Sequence, residues 1–190
     1  MAKRESTFKN MVTTLFIVAA VSAATLGLVN EVTEGPIAEA KLRAKLEAVE
    51  KVVPQFDNNP SEEMYILESD LGELECYPAK MGDELVGTAI STITKLGFSG
   101  EIRVMVGFKP DGSIHDSSVL DHAETPGLGT KMDLPKFKDQ YMGKNPAGNN
   151  IKVTKDGGEI DAITAATISS RAFSDAIQRA YDAYMKGGKK

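Results

Sequence analysis

The hydrophobic pattern of the chain begins with a long apolar run near the N-terminus. Residues 11–29 are consecutive uncharged, mainly apolar positions, and as a helix they would span about 28 Å, close to the hydrocarbon thickness of a bilayer. Lys3, Arg4 and Lys9 precede the run, and acidic residues follow it before any further base. Because positive residues stay on the cytoplasmic side, the pattern predicts a transmembrane helix with its N-terminus inside and the following domain outside.

A cleavable signal peptide is the alternative interpretation of the same run. Val21-Ser-Ala23 resembles the small-residue site at which such peptides are cut. The apolar run continues well past that site, however, and this continuation favours an uncleaved membrane anchor.

A second helix is predicted to begin at Gly35-Pro36, because proline suits the first turn of a helix. Its apolar stripe recurs at helical spacing and stops at Pro54. We expect this linking helix to pack on the outer domain and to be followed by a loop over residues 54–62. The stripe consists of Leu42, Leu46, Val49 and Val53.

The middle of the chain has the alternating pattern of β-strands. Its clearest strand places Ile102, Val104, Val106 and Phe108 on one face and the residues between them on the other. Pro110-Asp-Gly112 is a strong turn signal, after which residues 114–120 are predicted to return antiparallel as a hairpin. Three further β-prone runs precede this hairpin, at 64–68, 74–77 and 85–95.

The last predicted elements are a hairpin and a long helix. Residues 151–153 and 159–160 bracket an Asp-Gly-Gly turn and predict the hairpin. Thr164 is a plausible helix N-cap, which places Thr167 third in the helix, inside a first turn whose free N–H groups favour phosphate. Gly187-Gly188 would end the helix. The helical apolar positions are Ile168, Ala172, Phe173, Ala176, Ile177, Ala180, Tyr181 and Tyr184.

Composition and charge exclude several classes of protein. Hydrophobic residues at 42% and charged residues at 26% are ordinary for a globular domain. The N-terminal segment is basic, so residues 31–190 carry more negative charge than the net −5 of the whole chain, and an acidic domain is not expected to bind nucleic acid. Cys76 is the single cysteine, so an internal disulfide is excluded, and no zinc or iron–sulfur site is expected.

Two short stretches carry candidate chemistry. Residues 161–170 place four hydroxyl side chains within seven positions, separated only by alanines and one isoleucine; on residue types alone this is an ordinary capped helix start. Residues 124–129, Glu-Thr-Pro-Gly-Leu-Gly, combine a turn with exposed backbone and a hydroxyl, which suits a flat apolar ring with a polar edge. His122 lies nearby, but an exposed loop histidine usually has no catalytic role, and none is assigned.

Both stretches resemble signatures of the FMN-binding domains of the Rnf and Na⁺-translocating NADH:quinone reductase complexes. The stretch 124–129 is similar residue for residue to the signature that lies against the flavin, and the hairpin region 97–120 resembles the family's central hairpin. Ala165 stands where glycine is commoner in the family; a residue in the first helical turn needs no positive φ, so alanine is expected to fit. The positions that match the flavinylation motif are Asp161, Thr164, Ala166, Thr167 and Ser169.

The resemblance implies a cofactor and an α+β fold. Thr167 would carry FMN through a phosphoester bond, installed from FAD by a separate flavin transferase. The expected fold is an N-terminal transmembrane helix followed by a mostly antiparallel β-sheet FMN-binding domain with a packed C-terminal helix. The other expected cofactor contacts are Glu124, Thr125, Gly127, Leu128, Gly129, Asp161, Thr164, Ala165, Ala166, Ile168 and Ser169.

The resemblance also implies a domain organisation and a function. Residues 1–10 would be cytoplasmic, 11–29 would cross the inner membrane in contact with lipid, 30–60 would form a linker and helix, and 61–190 would form the FMN-binding domain on the periplasmic side. The chain would be an electron carrier, the G subunit of an ion-translocating Rnf complex (ferredoxin:NAD⁺ oxidoreductase), acting with the other Rnf subunits. No nicotinamide site, catalytic residue or metal ligand is expected in the chain itself.

Three alternatives remain at this point. A C-type subunit of the Na⁺-translocating NADH:quinone reductase is less favoured because that relative is typically longer. A stand-alone exported FMN-domain reductase would use a different electron acceptor. An anchored scaffold that has lost its flavin would keep the same fold.

Overall fold

The computed structural model describes residues 7–187 of the chain. The chain divides into two compact units, Met1–Arg43 and Ala44–Lys190. Lys3 and Arg4, on which the predicted topology partly rests, and Gly188, which was predicted to end the last helix, lie outside the described residues.

The first unit is helical and contains the apolar run. Helix α1 (Phe8–Val52) has an 18-residue window of mean hydropathy 2.2 with none of that window buried, so by length and composition it could cross a membrane. Two hydroxyls in this region are satisfied inside the helix: Thr13 donates to the carbonyl of Lys9 at 2.8 Å and Thr25 to that of Val21 at 2.9 Å. These two hydroxyls therefore need no water to satisfy them.

The prediction of a separate helix that begins at Gly35-Pro36 is wrong. Helix α1 is continuous through this position, with Pro36 inside it. Proline has no N–H to donate to the carbonyl four residues earlier, that of Val32, and such a loss costs a helix about 3 kcal/mol. It removes one bond without preventing helical backbone on either side, so the proline pattern predicted a boundary that the structure does not have.

The second unit is built on a five-stranded antiparallel sheet in which the strands lie in sequence order. The predicted hairpin is confirmed: the N–H of Gly112 donates to the carbonyl of Lys109 at 2.8 Å, and the strands on either side of this turn pair antiparallel. The strands are β1 (Tyr65–Ser69), β2 (Gly72–Met81), β3 (Glu84–Gly97), β4 (Gly100–Phe108) and β5 (Ile114–His122).

The connection between β5 and the C-terminal helix contains the remaining short elements. They are helix α2 (Pro135–Lys138) and two 3₁₀ helices, at Gly129–Asp133 and Asp139–Tyr141.

The hairpin predicted around Asp156-Gly-Gly is wrong. Thr154–Asp156 is a 3₁₀ helix, and Val153 and Ile160 form a single parallel bridge. The N–H of Thr154 donates to the carbonyl of Ile160 at 2.8 Å, and the N–H of Ile160 donates to that of Lys152 at 3.1 Å, so the two segments run in the same direction where they meet.

Helix α3 (Thr167–Gly187) covers one face of the sheet and forms the main core with it. The rings of Phe108 and Tyr184 stack with centroids 5.5 Å apart, and Ile177 is fully buried. The α+β fold with a packed C-terminal helix is therefore confirmed.

The end of α1 covers the opposite face of the sheet. Val49 and Val52 are buried there with Met105 of β4, whereas Leu42 and Leu46 of the predicted stripe are exposed. The approach is close: a Cβ added at Gly107 would lie 1.7 Å from the carbonyl oxygen of Val52. Both faces of β4 are consequently buried, and glycine at position 107 allows the helix backbone to reach the strand.

Candidate functional site

Parts of the two stretches singled out in the sequence meet at one open cleft of about 320 Å³. The loop after β5 forms one wall, and the start of α3 forms the other. Its apolar surface comes from Phe98, Leu128 and Ile168, whose side chains are 67%, 39% and 46% exposed. The complete lining is Phe98, Glu124, Thr125, Leu128, Gly129, Ala165, Ala166, Thr167, Ile168 and Ser169.

Glu124 joins the segments that build the cleft. Its side chain is buried, and its carboxylate accepts hydrogen bonds from the backbone N–H of Ser99 at 3.0 Å and from the hydroxyl of Ser169 at 2.5 Å. A buried carboxylate is stable only when its oxygens are paired. Glu124 therefore fixes the β3–β4 turn and the start of α3 to the same loop.

Gly129 is required by the space around this carboxylate. A Cβ added at Gly129 would lie 2.5 Å from Oε2 of Glu124 and 2.8 Å from the hydroxyl oxygen of Ser169. Any larger residue would push apart the two groups that close the cleft. Gly127 has a different role: its φ of 76° suits the turn in which the N–H of Leu128 donates to the carbonyl of Thr125, and it does not line the cleft.

Ala165 lies in a left-handed conformation, contrary to the expectation that alanine would fit a helical turn there. Its φ is 64°, the one positive value among non-glycine residues 7–187. The N–H of Ala166 donates to the carbonyl of Ile163 at 2.9 Å, so Thr164 and Ala165 are the central residues of a type II turn, whose second central position favours glycine. An L-residue with a Cβ pays about 1–2 kcal/mol for this backbone conformation.

Helix α3 begins at Thr167, so the prediction of Thr164 as its N-cap is wrong. Ser170 stabilises the start instead: its buried hydroxyl accepts from the N–H of Ile163 at 2.9 Å and donates to the carbonyl of Ala166 at 3.0 Å. The backbone N–H groups of Thr167 and the two residues after it donate to no acceptor among residues 7–187. Those donors, at the positive end of a helix dipole, are available to an anion.

Lys155 contacts the hydroxyl of Thr167 from the preceding 3₁₀ helix. Its ammonium nitrogen donates to Oγ1 at 3.1 Å. The neighbouring Asp156 receives two hydrogen bonds from the guanidinium of Arg171, at 2.6 and 2.7 Å, and this pairing lowers the pKa of the Asp156 carboxyl. The paired arginine belongs to α3, so the ion pair fastens the Lys155 turn to the helix that carries Thr167.

The flavinylation-like stretch is divided between two cavities. Its second half lines the cleft just described, whereas Asp161 and Thr164 line a separate cavity of about 550 Å³ together with Lys131 and Gln140. Gln140 fixes this segment by accepting from the N–H of Asp161 at 2.8 Å. The structure thus brings residues 165–169 to the Glu124 loop but leaves Asp161 and Thr164 on the other side of the turn.

Two residues of the site were not predicted as site residues from sequence. Phe98 lies in the hairpin region 97–120, and an aromatic residue between two glycines of a turn is a signal that could have assigned it to the site. Lys155 has no such signal, because its place beside Thr167 depends on how the 3₁₀ turn packs against α3.

The arrangement suits a flat cofactor with an anionic end. The cleft is lined by apolar side chains, and Lys155 and the free backbone donors at the start of α3 lie beside the Thr167 hydroxyl. Thr125 lines the same cleft and supplies a hydroxyl group. A phosphorylated isoalloxazine has this division between apolar ring, polar edge and phosphate, so the residues fit FMN.

Comparison with known proteins finds an FMN-binding domain family and relatives over most of the chain. The FMN-binding domain family matches residues 97–182. The chain is 33% identical over 183 residues to the G subunit of the Na(+)-translocating ferredoxin:NAD(+) oxidoreductase complex of Acetobacterium woodii, covering 90% of this chain and 88% of that one. It is 35% identical over 178 residues to the G subunit of the ion-translocating oxidoreductase complex of Yersinia pestis, covering 88% and 85%. In fold it resembles the crystal structure of Shewanella oneidensis NqrC, with a TM-score of 0.50 and 17% identity over 73% of this chain and 69% of that one.

Proposed function

The chain belongs to the family of G subunits of ion-translocating oxidoreductase complexes, and on that premise we propose that it is a membrane-anchored electron carrier with FMN joined covalently to Thr167. Electrons would pass through this flavin within a complex that transfers them between ferredoxin and NAD⁺ and translocates ions. The observation that carries the proposal is the meeting of the Glu124–Gly129 loop and Thr167 at one cleft.

Each part of the cleft has a role toward the cofactor. The side chains of Phe98, Leu128 and Ile168 would hold the ring by apolar contact and exclude water from its faces. The hydroxyl of Thr125 would meet its polar edge, and the free N–H groups at the start of α3 would bind the phosphate. When bound, FMN supplies reversible electron transfer, while the protein supplies attachment, orientation and control of the potential.

Glu124, Gly129 and Ser169 act in this proposal by shaping the cleft. The Glu124 carboxylate is committed to Ser99 and Ser169, so it holds the walls at a fixed separation. The residues on either side of the turn have different roles. Ala165 and Ala166 present small side chains beside Thr167 and leave room for the phosphate, whereas Asp161 and Thr164 would be contacted by the flavin transferase during attachment.

Membrane anchoring by α1 is part of the same proposal. The apolar segment of the helix would lie in lipid with its hydroxyls bonded internally, and Lys9 before it would remain cytoplasmic. The flavin domain would then face the periplasm, where a covalent bond prevents loss of the cofactor to the surroundings. The partners would be the other subunits of the complex in the inner membrane.

Mass spectrometry of the purified full-length chain tests the covalent attachment. Co-expression with a flavin transferase should add the mass of FMN less one water to the wild type and to Thr167→Ser, which keeps a hydroxyl, but not to Thr167→Ala. Flavin that remains on the alanine variant through denaturation would contradict the site. A wild-type chain that stays unmodified beside an active transferase would contradict covalent flavin altogether.

Co-purification separates a complex component from a stand-alone reductase. A tagged chain extracted in mild detergent from its own membranes should bring the other subunits of an ion-translocating oxidoreductase with it. Recovery of the flavinylated chain alone, under conditions that preserve a tagged sister subunit in its complex, would favour the stand-alone alternative.

A further inference from the structure

Lys155 places a positive charge beside the proposed attachment site. Its ammonium nitrogen lies 3.1 Å from Oγ1 of Thr167, a neutral oxygen. Among residues 7–187 no salt bridge joins Lys155 to a carboxylate, although its charge is one of the smaller causes of the lowered pKa of Asp156. Its neighbour Asp156 is engaged by two N–H donors of the Arg171 guanidinium and is therefore already neutralised.

The position of Lys155 is fixed by the turn that carries it. The turn is closed at its base by the N–H of Thr154, which donates to the carbonyl of Ile160 at 2.8 Å. On the other side, the Asp156–Arg171 pair ties it to α3 one turn beyond Thr167. A long flexible side chain gains most from an interaction when its backbone is already held in place.

We propose that Lys155 is the phosphate-positioning residue of this site, which orients the Thr167 hydroxyl before flavin attachment and neutralises the phosphodiester afterwards. The proposal rests on covalent flavin at Thr167, and adds to it a residue outside both sequence signatures. Lys155 does not line the apolar cleft, so its contact is to the phosphate end of the cofactor and not to the ring.

The attachment reaction explains why a cation is needed there. The Thr167 oxygen forms a bond to the phosphorus on the FMN side of FAD, and the bond from that phosphorus to the bridging oxygen breaks, so that AMP leaves. The hydroxyl proton passes to a base on the transferase. A positive charge beside Oγ1 favours the loss of this proton and the negative charge that develops at phosphorus.

The product also needs a counter-charge. A phosphodiester is a permanent monoanion at neutral pH, and the free N–H groups at the start of α3 provide only partial positive charge. Arg171 cannot serve without breaking its two bonds to Asp156. Lys155 is already in contact with the oxygen that becomes esterified, and hydrogen bonds between charged groups are about twice as strong as neutral ones.

Three variants of the full-length chain test the proposal. Lys155→Met removes the charge and keeps the length of the side chain, Lys155→Arg keeps the charge, and Lys152→Met removes an equal charge from an exposed lysine nearby. With limiting transferase and FAD, we expect flavin attachment to slow by about tenfold or more in Lys155→Met, since a charge-assisted hydrogen bond is lost. Lys155→Arg should recover most of the rate, and Lys152→Met should match the wild type.

Thermal unfolding gives a second result that a purely structural lysine would not produce. Flavin attachment should raise the melting temperature of Lys155→Met less than that of the wild type, while the two unmodified chains should melt alike. An equal rate of attachment and an equal rise in Lys155→Met would overturn the role of Lys155 and leave covalent flavin intact. A wild-type chain that accepts no flavin would overturn both.

Discussion

The carboxylate of Glu124 accepts a 2.5 Å hydrogen bond from the hydroxyl of Ser169, a residue 45 positions further along the chain. This bond joins the loop after β5 to the first turn of α3 and therefore joins the two sequence signatures. Its partners are both buried, and Gly129 lies against both of them. The contact therefore holds the two walls of the cleft together.

Ser169→Ala tests the energetic value of the bond. The change leaves one oxygen of a buried carboxylate without a partner, which should lower the free energy of unfolding by about 1–3 kcal/mol. Urea denaturation of the unmodified chain in detergent measures it. Ser99→Ala is the matched control, because Ser99 donates to Glu124 through its backbone N–H and the side chain is exposed. Equal stability of the two variants would show that Ser169 contributes nothing through Glu124.

Ala165→Gly is expected to stabilise the unmodified chain by about 0.5–1 kcal/mol. Glycine relieves the cost of a Cβ at a φ of 64°, and the greater freedom of glycine in the unfolded chain returns part of that gain. Ala166→Gly, at the neighbouring position, should destabilise the chain. Thermal melting of both variants decides the matter, and a loss of stability in Ala165→Gly would show that the left-handed turn is not strained.

Thr125→Val tests whether the loop senses the redox state of the flavin. The variant keeps volume and β-branching but removes the hydroxyl. A donor at the ring edge favours the more electron-rich reduced form, so its loss should lower the two-electron midpoint potential, by about 30 mV if the bond differs by about 1.4 kcal/mol between redox states. Thr125→Ser should keep the wild-type value in the same redox titration. An unchanged potential and flavin absorbance in Thr125→Val would remove this side chain from the ring contacts.

The Asp156–Arg171 pair predicts a pH dependence on the acid side. Arg171 lowers the pKa of Asp156 below its ordinary value of 3.8, so the stabilisation is complete above that ordinary value and is lost as the pH falls through the lowered one. Carboxyl-carbon NMR should show Asp156 titrating at lower pH in the wild type than in Arg171→Gln, where only the charges of Lys152 and Lys155 still lower its pKa. A titration of Asp156 that is the same in both proteins would mean that the ion pair does not form in solution.

Cysteine labelling tests the membrane topology. The native Cys76 is fully buried, and burial raises the pKa of its thiol to about 12, so it should not react in the folded chain. Ala147→Cys places a thiol on the exposed surface of the flavin domain, and Thr7→Cys places one before the apolar segment. An impermeant maleimide should label the first in cells whose outer membrane is made permeable, and the second only after lysis. The opposite pattern would reverse the proposed orientation.

The strands of the sheet were predicted well because each strand and turn is specified by residues that are neighbours in the sequence. The alternation from Ile102 to Phe108 and the Asp-Gly turn after it determine the β4–β5 hairpin without reference to the rest of the chain. The apolar face of α3 was equally clear. Pro36 was misinterpreted because proline favours a helix start and also occurs inside a helix, and the sequence pattern does not distinguish the two.

The sequence singled out the two segments that line the cleft but not how they are arranged. Thr164 was taken for an N-cap because the same hydroxyl residues occur in caps and in turns, and that choice led to the wrong backbone conformation for Ala165. The division of residues 161–169 between two cavities and the approach of Lys155 to Thr167 both depend on long-range packing. Periodicity and turn signals contain no information about such contacts.

The contact between Gly107 and the carbonyl of Val52 bears on how the flavin domain can be produced in soluble form. A fragment that starts at residue 61 would lack the C-terminal end of α1, which covers the second face of the sheet. Met105 and the apolar residues around it would then form an exposed hydrophobic surface, and such surfaces favour self-association. A fragment that starts at Ala44 keeps that cover and omits the apolar segment 11–29. The shorter fragment should aggregate on purification, whereas the longer one should remain monodisperse without detergent.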